Sequence, residues 1–116
     1  MKNVQHEVYF DRLVLATDCL FGVVLLDVFP DNEALKERWQ ADCYLWSLNV
    51  EKPMRGQGLG TQLIKDAIAE AKARGCKTMS LEWASPTPRW VLQWYDRLGF
   101  SEVEFDEKSA LMVKTL

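Results

Sequence analysis

Three glycines fall within five positions in Arg55-Gly56-Gln57-Gly58-Leu59-Gly60, between an apolar stretch that ends in Leu48-Asn49-Val50 and an amphipathic one that begins at Leu59. A strand that turns through glycines into a helix brings the unpaired amides of the first helical turn and the positive end of the helix dipole to one point. That arrangement holds an anion, above all a phosphate group, and glycine lets the backbone approach it closely. Two other phosphate loops fit less well. A dinucleotide fingerprint needs G-x-G-x-x-G early in a βαβ unit with an acid about 20 residues on, whereas this triplet is spaced Gly56-x-Gly58-x-Gly60 and arrives in mid-chain. A P-loop needs a lysine after its last glycine, and here Thr61 follows Gly60 directly. Taken alone, the loop is equally a tight strand-to-helix turn with no ligand.

Other chemistry is scarce. His6 is the only histidine, so a triad built on an imidazole would have to use a residue near the chain terminus. Cys19, Cys43 and Cys76 are far apart and include no C-x-x-C pair, which points to reduced core thiols and to no metal site. A net charge of -3 argues against a nucleic-acid partner. No apolar run approaches the roughly 20 residues that span a bilayer, and the polar opening residues do not resemble a signal peptide. The expectation is a cytoplasmic protein that uses neither a membrane nor a metal. With 116 residues, 48% of them hydrophobic, the chain has enough apolar surface for one core, so residues 1–116 are expected to form a single domain.

The elements that must position the loop follow from periodicity. Residues 4–16 read as extended, with a turn at Asp11-Arg12, and residues 20–29 as a strand joined to them through Thr17-Asp18. A short helix is expected over residues 33–40, capped by Asp31 or Asn32. Residues 43–50 carry apolar side chains on both faces, with Tyr44, Trp46, Leu48 and Val50 assigned to one and Cys43 and Leu45 to the other, as in a central strand. Leu59, Leu63, Ile64, Ala67, Ile68 and Ala71 define a helix stopped by Gly75. Residues 78–83 read as a strand with Met79, Leu81 and Trp83 on one face. A further helix follows, with Trp90, Val91, Trp94, Tyr95 and Leu98 on one face and Gly99 as its stop, before closing strands at 102–106 and 110–116.

At this point the sequence resembles the GNAT superfamily of N-acetyltransferases. Its R/Q-x-x-G-x-G/A signature is met by Arg55, Gly58 and Gly60. Leu81-Glu82-Trp83 and then Tyr95-Asp96-Arg97-Leu98-Gly99-Phe100 resemble its second region, a strand glutamate followed by a helix ending Y-x-x-x-G-F. The resemblance covers residue 43 to the C-terminus. It implies an α/β (α+β) fold with a mixed, mainly antiparallel sheet flanked by helices and splayed at the central strand. It also implies acetyl-CoA as co-substrate and acetyl transfer to a primary amine by direct attack in a ternary complex.

The resemblance places the CoA pyrophosphate on Gly56, Gln57, Gly58, Leu59, Gly60 and Thr61, with Arg55 contributing its side chain or bracing the turn. The pantetheine arm would pair like an added strand with Leu48, Asn49 and Val50. Tyr95 stands where the family commonly keeps the acid that protonates the departing thiolate; its other reading is a core aromatic. Glu82 matches the strand carboxylate that some members use as proton acceptor, and Asp42 matches one used by others; each is equally a solvated surface acid. Glu51, though near the loop, reads as a surface charge. Two departures stand out. Pro88 replaces an asparagine usual at the start of the last helix, and the N-terminal helical part that builds the acceptor pocket is reduced to one short helix. The pocket is then open, or completed by a second subunit in a homodimer. Trp90 and Trp94, at i and i+4, read as core, acceptor lining or dimer contact. Two other functions stay open: a non-catalytic acyl-CoA binder, and a small protein-interaction module with a structural glycine loop.

Overall fold

The computed structural model describes residues 11–17, 21–56, 58–84, 89–105 and 108–116. His6, Cys19, Gln57 and Pro88 lie outside them, as do the extended segment expected before Asp11 and the Asp18 half of the first connection.

Strand β1 (Asp11–Ala16) and strand β2 (Gly22–Val28) form an antiparallel hairpin. Thr17 closes it twice: its amide donates to the Gly22 carbonyl, and its hydroxyl accepts from the Gly22 amide, both at 2.9 Å. The turn expected at Asp11-Arg12 is not there, because both residues are paired in β1, opposite Val28 and Asp27. The Arg12 guanidinium forks onto the Asp27 carboxylate at 2.7 and 2.9 Å. A cross-strand bidentate pair of this kind favours extended backbone on both strands.

Helix α1 (Glu33–Trp39) starts on Asn32, whose side chain accepts from the Leu35 amide at 3.1 Å, and ends at Gln40 in the left-handed conformation. Its Trp39 ring stacks on Tyr44 with centroids 3.9 Å apart. Strand β3 (Cys43–Val50) then pairs antiparallel with β2 along its whole length. The register shifts where Leu25 faces Ser47 and Leu26 faces Leu45, so Trp46 is the extra residue of a bulge. This corrects the face assignment made from strict alternation. The bulge carries Leu48 and Val50 to the side of Cys43 and Leu45, where all four pack in one cluster, and leaves Trp46 exposed.

Helix α2 (Leu59–Ala73) buries Leu63, Ile64, Ala67 and Ala71 and ends at Gly75, whose φ is +88°. Strand β4 (Thr78–Ala84) follows, then helix α3 (Arg89–Arg97), which stops at Gly99. Strands β5 (Ser101–Phe105) and β6 (Ser109–Thr115) close the sheet. Among the described residues the sheet has six strands in the order β1-β2-β3-β4-β6-β5, antiparallel at every junction except β3 with β4. One apolar cluster joins β2, β3 and β4 to α2 and Phe100, with Trp94 and Tyr95 of α3, and Leu98 just after it, packed against it. Both cysteines in the described part, Cys43 and Cys76, are buried free thiols, and burial pushes each upward in pKa, as expected for inert core residues. Among the described residues no helix is long and apolar enough to cross a membrane.

Candidate functional site

The parallel junction is short. β3 meets β4 only through Cys43 opposite Met79 and Tyr44 opposite Ser80, after the Asp42 amide has donated to the Thr78 carbonyl at 3.2 Å. From there each strand keeps its other neighbour: β3 stays on β2 as far as Val50, and β4 stays on β6 as far as Ala84. The sheet therefore opens between residues 45–50 and 81–84. Inside it lies a strand edge whose main-chain groups face no neighbouring strand among the described residues, a slot suited to an extended amide-bearing ligand.

The glycine loop stands at the wide end of this opening. A 3-10 turn (Lys52–Met54) follows β3, and the Arg55 side chain folds back so that its Nε donates to the Val50 carbonyl at 2.9 Å. Of the two roles open to Arg55, bracing the turn is the one its geometry serves. Gly56 and Gly58 both have φ of +83°, and a Cβ on either would meet nothing within 4 Å. Left-handed backbone, and not crowding by the protein, requires glycine there. Gly58 caps α2 without a side-chain bond, and its carbonyl accepts from the Gln62 amide at 3.0 Å. The first-turn amides of Leu59, Gly60 and Thr61 thus lie N-terminal to the start of the α-helical hydrogen-bond ladder, at the positive end of a 15-residue helix. This donor set matches a pyrophosphate, and the slot beside it matches an amide chain.

Gly60 has a separate reason to be glycine. A Cβ there would stand 3.3 Å from the Trp94 indole, which packs on the first turn of α2 and donates its Nε1–H to the Thr61 hydroxyl at 3.0 Å. Trp94 is therefore the tie between α2 and α3 at the rim of the opening. Sequence periodicity placed it on the apolar face but carried no signal of that bond.

The acid–base candidates separate in space. Tyr95 is half-buried on the α2 and α3 side, edge-on to Phe100 at 6.2 Å and tilted against Trp94 at 5.3 Å. Burial raises its pKa and keeps the phenol protonated. Glu82 is exposed, and because Met79 and Leu81 belong to the core, alternation along β4 carries Glu82 to the opposite face. That face also holds Tyr44, buried and pushed up to about 12 by desolvation first and then by the Glu82 and Asp27 charges. Sequence reasoning did not single out Tyr44, and nothing in its local spacing marks it. Asp42 sits elsewhere, at the closed end of the β3/β4 pair, where its carboxylate accepts from the Lys77 amide at 2.6 Å and lies 3.9 Å from Lys36 Nζ. The structure puts Glu82 on the stretch of β4 that borders the opening, Tyr95 on α3 against Trp94, Phe100 and the core, and Asp42 as a staple at the closed end. Glu51 is exposed, as is Trp90, while Trp94 is half-buried. Among the described residues no three His, Cys, Asp or Glu side chains gather as a metal site would need.

The same overall fold is found in solved acetyltransferases. The fold superposes on the PaiA N-acetyltransferase of Thermoplasma acidophilum, solved with coenzyme A, with a TM-score of 0.74 at 19% identity, over 91% of this chain and 62% of that one. It superposes on an acetyltransferase of Bacillus cereus with a TM-score of 0.68 at 20% identity, over 93% and 74%. The model of the acetyltransferase (GNAT) family matches residues 3–100, and the chain belongs to that family. Among curated proteins it is 39% identical over 67 residues to an uncharacterized N-acetyltransferase of Methanocaldococcus jannaschii, covering 58% of this chain and 29% of that protein. It is also 39% identical over 57 residues to an N-alpha-acetyltransferase of Arabidopsis thaliana, covering 49% and 30%. The matched parts are thus less than a third of these relatives' length.

Proposed function

We propose that the chain transfers an acetyl group from acetyl-CoA to a primary amine by direct attack within a ternary complex. The observation that carries the reading is the parting of β3 from β4 after two residue pairs, which opens the sheet along β3 toward the glycine loop and the first turn of α2. The amides of Leu59, Gly60 and Thr61 hold the pyrophosphate, and the free edge of β3 from Leu48 to Val50 pairs with the pantetheine amides. A main-chain amide on this edge of β3 polarises the thioester carbonyl.

Glu82 takes the proton from the incoming ammonium on one face of the sheet. The freed amine attacks the carbonyl carbon, and the C–S bond breaks as Tyr95 on the other face gives its proton to the sulfur. The proton still carried by the new amide nitrogen passes through water to restore the Tyr95 phenol, and Glu82 releases its own proton to solvent. The products are the acetylated amine and CoA. The names of the relatives, one of them an N-alpha-acetyltransferase, support an amine acceptor.

The test is release of CoA thiol from acetyl-CoA against a panel of amines that includes small polyamines, lysine side chains and a peptide N-terminus. Glu82→Gln and Tyr95→Phe are each expected to slow amine-dependent release by roughly 100-fold, the lower end of general acid–base contributions. Because burial raises Tyr95, the acid stays protonated past the ordinary tyrosine range, and any alkaline loss of rate due to it should set in above that range. If neither substitution slows release, the assignment of base and acid fails. Tight CoA binding with no turnover on any amine would point to a binding protein instead.

A further inference from the structure

Helices α2 and α3 follow the parallel strands β3 and β4, so their N-termini stand at the same rim of the opening. Trp94 of α3 packs on Gly60 and bonds Thr61 in the first turn of α2. Trp90 is four residues closer to the N-terminus of α3, about 6 Å along the axis and within about 40° of Trp94 around it. It therefore rises from the side of α3 that faces the glycine loop. The opposite flank of the helix is spoken for by Arg89, Leu92, Gln93 and Asp96, which border a groove against Phe100 and Met112, and Trp90 takes no part in that groove. Trp90 is 65% exposed, so its indole is accessible to a ligand at this rim.

A pyrophosphate on the α2 amides has two arms. One enters the slot along β3, and the other must leave the rim on the outer side, where Trp90 stands. We propose that Trp90 is the stacking platform for the adenine ring of CoA. This rests on the acetyl-CoA reading of the same site. An indole face is flat, apolar and electron-rich, and matches a purine in area; stacking of this kind tolerates a ring that keeps its polar edge in water. The platform holds the nucleotide end and leaves the thioester end to β3 and Tyr95. Trp90 thereby favours the whole cofactor over its shorter pantetheine fragments, without touching the reacting atoms.

The experiment is calorimetric titration of the chain with CoA and, separately, with 4′-phosphopantetheine, which keeps a terminal phosphate and lacks the adenosine. Trp90→Ala is expected to weaken CoA roughly 5- to 100-fold while leaving phosphopantetheine unchanged. Trp90→Leu, which keeps apolar bulk and loses the aromatic face, should behave like the alanine variant, and Trp90→Phe should restore most of the affinity. Undiminished CoA binding by the alanine or leucine variant overturns the proposal. So does equal weakening of both ligands, which would mean that the ring supports the loop and not the base. A wild-type chain that binds neither ligand defeats the acetyl-CoA reading itself, and is told apart because no variant is needed to see it.

Discussion

Gly58→Ala isolates the anion cradle, because the structure separates its two expected effects. The φ of +83° is left-handed, and a Cβ there meets nothing within 4 Å, so the protein itself does not clash with it. The folded state bears about 1–2 kcal/mol of backbone strain, offset by about 0.4–1 kcal/mol from the lower entropy of the unfolded alanine chain. The net loss is about 1 kcal/mol, which lowers Tm by about 4–6 °C in a domain of this size. The open space that spares the fold is the space a bound pyrophosphate would fill. A methyl group there forces the phosphate off at least one amide, and a charge-assisted bond forfeits roughly 1.5–3 kcal/mol, or about 10- to 150-fold in Kd.

The matched control is Gly75→Ala at the far end of α2, with φ of +88° and the same open surroundings. Thermal melts and calorimetry with CoA on both variants give the answer. Similar drops in Tm are expected, with a loss of CoA affinity in Gly58→Ala alone. If Gly58→Ala binds CoA as well as Gly75→Ala does, the pyrophosphate does not sit on this loop and the reasoning is refuted.

Two further outcomes follow from the geometry. Asp42→Ala removes the bond to the Lys77 amide and should cost about 1–2 kcal/mol, less than a fully buried charged bond because Lys77 is exposed. Its kcat for thiol release should match the wild type; a fall of 100-fold would return Asp42 to the chemistry. Tyr44 is held up to about 12 by burial and by the Glu82 and Asp27 charges, so above pH 10 the unfolded chain loses its phenolic proton first. Stability should therefore decline between pH 10 and about 12, and Tyr44→Phe should flatten that part of a denaturant-midpoint profile.

Much of the fold was legible because it rests on local signals. The stripe from Leu59 to Ala71, the Asn32 cap and the stops at Gly75 and Gly99 each depend on neighbours a few positions away. The site was legible as far as glycine spacing and the Y-x-x-x-G-F ending reach. What escaped were effects set by distant partners. The bulge at Trp46 inverts the faces of Leu48 and Val50, and it exists only in register with β2. The strand at Asp11-Arg12 is recruited by Asp27, fifteen residues on. Asp42 has a motif's spacing, but its carboxylate is turned onto the Lys77 amide. The Trp94 bond to Thr61 crosses between two helices and leaves no periodic trace.

The two-pair junction of β3 and β4 also bears on the mechanics of the molecule. The hairpin-fed leaf β1-β2-β3 and the leaf β4-β6-β5 are each laced along their length, yet they are stitched to one another at one end, with α2 and α3 as the backing that keeps them in plane. An extended ligand lying in the gap would act as the missing thread between them. Rigidity in the unstitched half would then arrive with the ligand and depart with the product, and slowed amide exchange at residues 45–50 would record each arrival.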